Sequence, residues 1–175
     1  NAGVAGISVL TDYHFFGGSF QDLQAVKETV EVPVLQKDFI VDVYQLYEAK
    51  ASGADFILLI AAVLNKLQIQ ELARVAQNLD LEVLVEIHTD EELDKAIGEH
   101  VDLIGVNNRN LKTFEVDLEH SIQLASKIPS GYSKISESGI SSTETVLHLK
   151  KADFQAFLMG ENFMKTPNPG ESCKQ

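Results

Sequence analysis

The sequence predicts an α/β fold built on a parallel sheet, and three observations carry that reading. Short apolar runs recur along the chain with helical stretches between them. Several of these runs are continuously apolar rather than alternating, the habit of parallel strands covered on both faces. Four of them hand over to a helical pattern through polar residues: Lys37-Asp38, Glu86-Ile87-His88, Asn107-Asn108-Arg109-Asn110 and Ser136-Glu137-Ser138-Gly139. In barrels of parallel strands and outer helices, active sites lie at the carboxyl ends of the strands. Polar residues repeated at that address point to an enzyme.

Seven strand-to-helix handovers follow from apolar runs at residues 5–10, 34–35, 56–60, 83–87, 103–106, 134–136 and 156–159. The first long helix is expected over residues 21–30, with Leu23, Val26 and Val30. The second, over 42–52, carries Val43, Leu46, Tyr47 and Ala51. Gly53 followed by Ala54-Asp55 reads as its stop and the turn into the next strand. Residues 64–79 place Leu67, Leu72, Val75, Ala76 and Leu79 near helical spacing. Two further helix starts are signposted by Thr89-Asp90-Glu91-Glu92 and Ser141-Ser142-Thr143-Glu144. Both fit the capping box, in which hydroxyl and carboxylate satisfy free backbone N–H groups. Ala54-Asp55-Phe56, Val101-Asp102-Leu103 and Ala152-Asp153-Phe154 echo one another, each with an acidic residue entering an apolar run. The segment 166–170 is turn-like and closes the last unit.

Two architectures compete for alternating β and α elements. A doubly wound sheet usually carries a glycine-rich phosphate loop after its first strand, and neither GxGxxG nor GxxxxGK[ST] occurs. A TIM (β/α)8 barrel needs eight strands and typically about 250 residues. The barrel is preferred, with one unit missing from the 175 residues. No linker or low-complexity segment interrupts them, so residues 1–175 read as one barrel domain.

Composition narrows the function classes. With 45% hydrophobic and 23% charged residues, the chain suits a globular core. A net charge of −12 argues against a nucleic-acid partner, while a local basic pocket can still hold a small anion. No apolar run approaches the roughly 20 residues of a membrane helix, and no secretory pattern opens the sequence. The single cysteine, Cys173, permits no internal disulfide, which fits a reducing, cytoplasmic setting.

Taken by residue type alone, the candidates have ordinary readings too. Lys37 reads as a surface lysine snorkelling from a strand end, Glu86 as a cap of the next helix, Asn107–Asn110 as a polar turn and Gly160 as a tight turn. Phe16, Phe39 and Leu111 each read as core residues. His14 and His88 lack zinc-type spacing and read as polar contacts, so no metal site is expected.

Longer stretches are more specific. They are Ile7-Ser8-Val9-Leu10-Thr11-Asp12 with Phe15-Phe16-Gly17-Gly18-Ser19; Pro33-Val34-Leu35-Gln36-Lys37-Asp38-Phe39-Ile40; Ile57-Leu58-Leu59-Ile60; Leu84-Val85-Glu86-Ile87-His88; Ile104-Gly105-Val106-Asn107-Asn108-Arg109-Asn110-Leu111; Ile135-Ser136-Glu137-Ser138-Gly139-Ile140; and Gly160-Glu161-Asn162-Phe163-Met164. In these stretches, and in their order, nearly the whole chain resembles the indole-3-glycerol phosphate synthases, barrel enzymes of tryptophan biosynthesis. The resemblance implies that the chain covers strands 2–8 of the barrel. The family's first strand, with its glutamate, lysine and Ser-Pro-Ser turn, is not among these residues. The chain also stops where the eighth helix should run. Open edges left by a missing strand invite self-association.

The resemblance also implies a reaction. 1-(2-Carboxyphenylamino)-1-deoxyribulose 5-phosphate closes a ring and loses carbon dioxide and water, with no metal or organic cofactor. Acid and base are both needed. Lys37 matches the general acid, in a pocket where burial lowers an ammonium's pKa. Glu86 and Glu137 match active-site carboxylates, and two carboxylates beside one lysine tune each other. Asn107 matches a substrate-binding amide and Arg109 a cation near the anionic aryl end. Phe16, Phe39 and Leu111 match the walls of the aryl pocket. Ser138, Gly139, Gly160 and Glu161 match the phosphate site, with the Glu161 carboxylate expected to point away from the anion. Two alternatives stay open: another phosphate-binding barrel, of phosphoribosylanthranilate isomerase or sugar-phosphate epimerase type, and an inactive fragment.

Overall fold

The computed structural model describes residues 3–110 and 113–174. Seven strands form one parallel sheet in chain order: β1 (Ile7–Leu10), β2 (Val34–Lys37), β3 (Phe56–Ile60), β4 (Glu82–Ile87), β5 (Leu103–Asn107), β6 (Ser133–Glu137) and β7 (Ala156–Leu158). Parallel neighbours need a crossover, and helices supply it. After β1 come α1 (Tyr13–Phe16) and α2 (Phe20–Thr29); after β2, α3 (Val43–Ala51); after β3, α4 (Lys66–Asn78). Then α5 (Asp90–Ala96), α6 (Leu118–Ala125) and α7 (Thr143–Lys151) follow β4, β5 and β6, and α8 (Glu161–Met164) and α9 (Pro169–Ser172) follow β7. The doubly wound alternative falls, because strand order never reverses.

Alternation along the strands divides the apolar residues into two layers. Val34, Ile57, Leu59, Val83, Val85, Ile104 and Val106 face the helices and pack with Leu23, Leu46, Leu72, Leu124 and Leu149. Leu35, Leu58, Ile60 and Leu84 form a second cluster on the opposite face, with Leu103, Ile135 and Leu158 against it. One pleat further along, the same period brings Lys37 (after Leu35), Glu86 (after Leu84) and Glu137 (after Ile135) onto that inner face. The register aligns them: Ile60 pairs with Glu86, Glu86 with Gly105, and Asn107 with Glu137.

The acidic echo has a physical role. Asp55 Oδ2 accepts from the Val34 N–H at 2.8 Å and Asp102 Oδ2 from the Val83 N–H at 2.9 Å. Each closes a backbone donor at the start of the preceding strand. In the third copy Gln155 does this for Lys134, while Asp153 pairs with the Lys134 ammonium.

The caps differ from the expected ones. The first turn of α7 is capped by Ser142, one residue later than expected, through the Thr145 N–H. Thr89 caps α5, but Glu92 turns to the His88 N–H instead of closing a box. Reciprocal boxes occur at Asp42/Gln45 and Asn65/Gln68, where an amide takes the carboxylate's place. Pro169 and Gly170, expected in a turn, open α9 behind an Asn168 cap. Among the described residues no helix is long and apolar enough to cross a membrane.

Candidate active site

Lys37 ends β2, Glu137 ends β6, Asn107 ends β5, and Glu86 lies one residue inside the end of β4. Their side chains meet. Lys37 Nζ lies 3.4 Å from Glu86 Oε2 and 3.2 Å from Glu137 Oε2. Asn107 Nδ2 donates to Glu86 Oε1 at 3.0 Å, and Asn107 Oδ1 accepts from the Arg109 N–H at 3.0 Å. Gly105 makes the room. A side chain there would overlap Glu137 Oε1 and press on Leu84, so this glycine in an apolar strand is required by the close approach of a neighbour's carboxylate.

Burial sets the proton affinities. Glu86 and Glu137 are 3% and 1% exposed. Desolvation, then the charge of Glu86, push the Glu137 carboxyl up to about 7, against the pull of Lys37. Burial pulls Lys37 down, as expected from its pocket, yet Glu137 and Glu86 outweigh it and the net shift is upward. The lowered ammonium expected from burial alone is therefore corrected: two facing carboxylates hold the proton on.

A cleft of about 350 Å³ opens above this cluster. Lys37, Asn107, Arg109, Glu137, Ser138, Gly139, Gly160 and Glu161 line it together. Ser138 and Gly139 both sit at positive φ, 68° and 69°. Asn108, buried behind them, fixes that turn by donating from Nδ2 to the Ser138 carbonyl at 2.7 Å and to Ser136 Oγ at 3.0 Å. Gly160 precedes α8, whose first turn has no side-chain cap. The Glu161 carboxylate is held by two cations. It bridges Arg109 Nη2 at 2.9 Å and Lys165 Nζ at 2.6 Å, and Lys165, then Arg109, hold its carboxyl below the usual range.

Glu86 lies beneath the cleft, reached through Lys37 and Asn107. Phe16 and Phe39 lie outside its lining. They stack at 5.2 Å and 9° beyond the ends of β1 and β2, with Phe15 edge-on to Phe39. Asp38 builds that corner: it accepts from the Thr11 hydroxyl, from Gln36 Nε2 at 3.3 Å and from the Phe39 N–H at 2.7 Å. Leu111 falls outside the described residues. Among the described residues no group of three or more His, Cys, Asp or Glu is placed to hold a metal.

Sequence reasoning missed Lys165, Asn108, Gly105 and the placement of His88. Lys165 was readable as the i,i+4 partner of Glu161. His88 is half-buried between Glu86 and Glu92, with its ring nitrogens 3.8 and 3.6 Å from their carboxylates.

Seven parallel strands in chain order, with a lysine and two carboxylates meeting at their carboxyl ends, form a curled half-barrel of the β/α-barrel kind, a fold that carries active sites at that end. Solved structures agree on the fold. The crystal structure of KGPDC from Streptococcus mutans matches with a TM-score of 0.71 at 12% identity, over 95% of this chain and 81% of that one. Orotidine 5′-phosphate decarboxylase from Pyrococcus horikoshii OT3 gives 0.75 at 14%, over 98% and 84%. Sequence goes further. The family described as indole-3-glycerol phosphate synthase matches residues 1–175, and the chain belongs to that family. The indole-3-glycerol phosphate synthase of Bacteroides thetaiotaomicron is 53% identical over 173 residues, and that of a Polaromonas species 47%. Both alignments span 99% of this chain but only 66% of the relative's length.

Proposed function

We propose that the protein carrying this chain converts 1-(2-carboxyphenylamino)-1-deoxyribulose 5-phosphate to indole-3-glycerol phosphate, carbon dioxide and water, as a carboxy-lyase of tryptophan biosynthesis. The observation that carries this reading is the Lys37 ammonium set between two buried carboxylates at strand ends. The ring carbon bearing the carboxylate attacks the ketose carbonyl carbon, and the carbonyl oxygen takes a proton from Lys37 to become a hydroxyl. The bond to the carboxylate breaks, and its electron pair restores the aromatic ring as carbon dioxide leaves. The nitrogen lone pair then expels the hydroxyl, protonated to water, and a base removes the adjacent C–H proton. Two protons enter and one leaves, which balances loss of a carboxylate as carbon dioxide.

Glu137, with a carboxyl near 7, is populated in both forms at neutral pH. When it holds the proton, Lys37 loses one of its two attractions, and burial then acts on the ammonium with less opposition. Lys37 becomes a better acid at that moment. Glu86 and Glu137 supply the base and the second acid.

The phosphate end is assigned to Ser138, Gly139, Gly160 and Glu161 through their backbone N–H groups, with Lys165 neutralising the Glu161 carboxylate beside the anion. The uncapped first turn of α8 supports it, since such N–H groups have no intrahelical acceptor. Asn107 holds the substrate's polar middle and Arg109 the anthranilate carboxylate. Phe16, Phe39 and Leu111 wall the aryl ring. We place β1–β7 as strands 2–8 of one barrel domain: the inner-face residues of the outer strands, Ser8, Leu10 and Ala156, are exposed as if awaiting a neighbour. By the same argument the 175 residues alone self-associate through β1 and β7, which sedimentation reads directly.

Incubating the complete protein with the substrate and following indole fluorescence tests the reaction; no indole product sinks it. Inorganic phosphate should shift the backbone amide resonances of Ser138, Gly139, Gly160 and Glu161. Shifts confined to the opposite end of the strands would refute the placement.

A further inference from the structure

His88 follows Glu86 by two residues and lies between two carboxylates. Its Nδ1 is 3.6 Å from Glu92 Oε2 and its Nε2 is 3.8 Å from Glu86 Oε1. These are ion-pair separations, beyond a direct hydrogen bond. Nε2 is buried and has no hydrogen-bond partner. An unpaired buried polar atom is costly, and here the charge nearest to it is that of Glu86.

The residue is held from several elements. Glu92, in the first turn of α5, accepts the His88 N–H at 2.6 Å as well as facing the ring. His120, on α6, places Nε2 2.9 Å from the His88 carbonyl. The Arg109 backbone approaches from the loop after β5. Neither His88 nor Glu92 lines the cleft. The ring lies off the cleft at Oε1 of Glu86, whereas Lys37 meets Oε2.

We propose that His88 is a positioning residue that holds Glu86 at Oε1, with Glu92 fixing the ring, so that Glu86 keeps its place and charge between Asn107 and Lys37. This rests on the acid–base reading of the cluster. Each Glu86 oxygen has one known neighbour, Asn107 at Oε1 and Lys37 at Oε2. A carboxylate oxygen has a second lone pair, and Nε2 is the group placed to use it at Oε1. When Glu86 exchanges a proton with the reaction, the imidazolium limits its drift in charge and orientation. The site holds the ring's proton more tightly than water does: burial opposes it, but Glu92 and Glu86 outweigh burial and raise the His88 pKa. Glu92 is lowered despite its own burial, first by His88 and further by Lys95. The charged groups facing the ring are thus Glu86 and Glu92, while His120 meets only the His88 backbone carbonyl and Glu137 senses the ring's charge across the interior.

Two readouts on the complete protein test this. The first is the imidazole titration of His88 by NMR in the wild type and in Glu86→Gln. Its midpoint should fall in the variant, by about one unit if the pairing is worth a factor of ten; an unmoved midpoint overturns the proposal whether or not the protein turns over substrate. The second is the pH profile of turnover. His88→Asn should lower kcat about tenfold, short of the roughly 10²–10⁴ expected for losing an acid or base outright, with KM within about twofold. Its acid limb should move to higher pH, because Glu137, whose carboxyl the His88 charge holds down, loses that neighbouring cation. His88→Gln, whose amide reaches towards the Nε2 position, should recover most of kcat without restoring the limb. Profiles of both variants that coincide with a turning-over wild type overturn the inference. A wild type without turnover sinks the acid–base reading instead and leaves the NMR titration to decide the pairing. Thermal unfolding of each variant identifies any that fail to fold, and the wild-type and Glu86→Gln titrations then decide alone.

Discussion

The middle of the sheet and its two flanks follow the same alternation to different ends. On the inner face of the middle strands, Leu58 and Leu84 are 1% and 2% exposed, and the carboxylates one step above the apolar layer are sealed with them. On the flanks, Leu10 is 38% exposed and Ala156 lies open. Charge behaves accordingly. Glu137, at the end of β6, is buried and pushed up to about 7. Glu161, beyond β7, is in solvent and is held below the usual range by two cations. The same residue type has its proton affinity raised or lowered according to how many neighbours exclude water from it.

The largest effect expected from this contrast is at its centre. Lys37→Ala in the complete protein should lower turnover by roughly 10²–10⁴ while far-ultraviolet circular dichroism stays native. Near-normal turnover would remove Lys37 from the mechanism. Glu86→Gln should lower kcat far more than it raises KM; a pure rise in KM would mean that Glu86 only binds substrate.

Packing provides the next test. Leu58→Ala should cost about 2–5 kcal/mol in denaturant unfolding, the usual range for a sealed leucine. Leu10→Ala would cost less than about 1 kcal/mol if β1 stayed a flank, because little apolar area is lost from water. The placement of β1 as strand 2 expects more than that in the complete protein, where a further strand covers it; the smaller value would break that placement. Gly105→Ala should destabilise by about 1–3 kcal/mol through overpacking and should also disturb turnover, since Glu137 must give way.

The fold was readable because parallel strands covered on both faces leave apolar runs, several of them continuous, and the seven strands fall at the seven expected runs. Their ends were less readable. The run at 34–35 continues as strand through Gln36 and Lys37, and Gln36 is buried on the helix side by bonding to Thr11 and Asp38, a tertiary fact invisible to a hydropathy pattern. Strand-end polarity singled out Lys37, Glu86, Asn107 and Glu137, and the fold brings their side chains into contact. The net direction of the Lys37 shift was not readable, because it depends on two partners brought from 49 and 100 residues away. The Glu161 ion pair was hidden for the same reason: its partner Arg109 stands 52 residues earlier.

The smallest effect separates centre from flank by pH. The Glu137 carboxyl sits at about 7 in the folded chain against an ordinary 4.5. Between those values the folded state binds the proton and the unfolded state has released it. The contribution to stability is therefore full below about 4.5 and is lost as pH rises through about 7, on the order of 1–3 kcal/mol. Lys37 does not enter this window, because its raised affinity matters only at alkaline pH. His88 adds a loss of the same sign above its ordinary 6.5, and Glu92 acts only below 4.5. The readout is consequently a difference: unfolding free energy from pH 4.5 to 7 in the wild type and in Glu137→Gln, whose slope should be flatter. Glu161→Gln, on the exposed flank, should leave the wild-type slope in that window unchanged. Equal slopes in the wild type and Glu137→Gln would mean that water reaches the centre of the sheet as readily as its edge, and the contrast between them would fall.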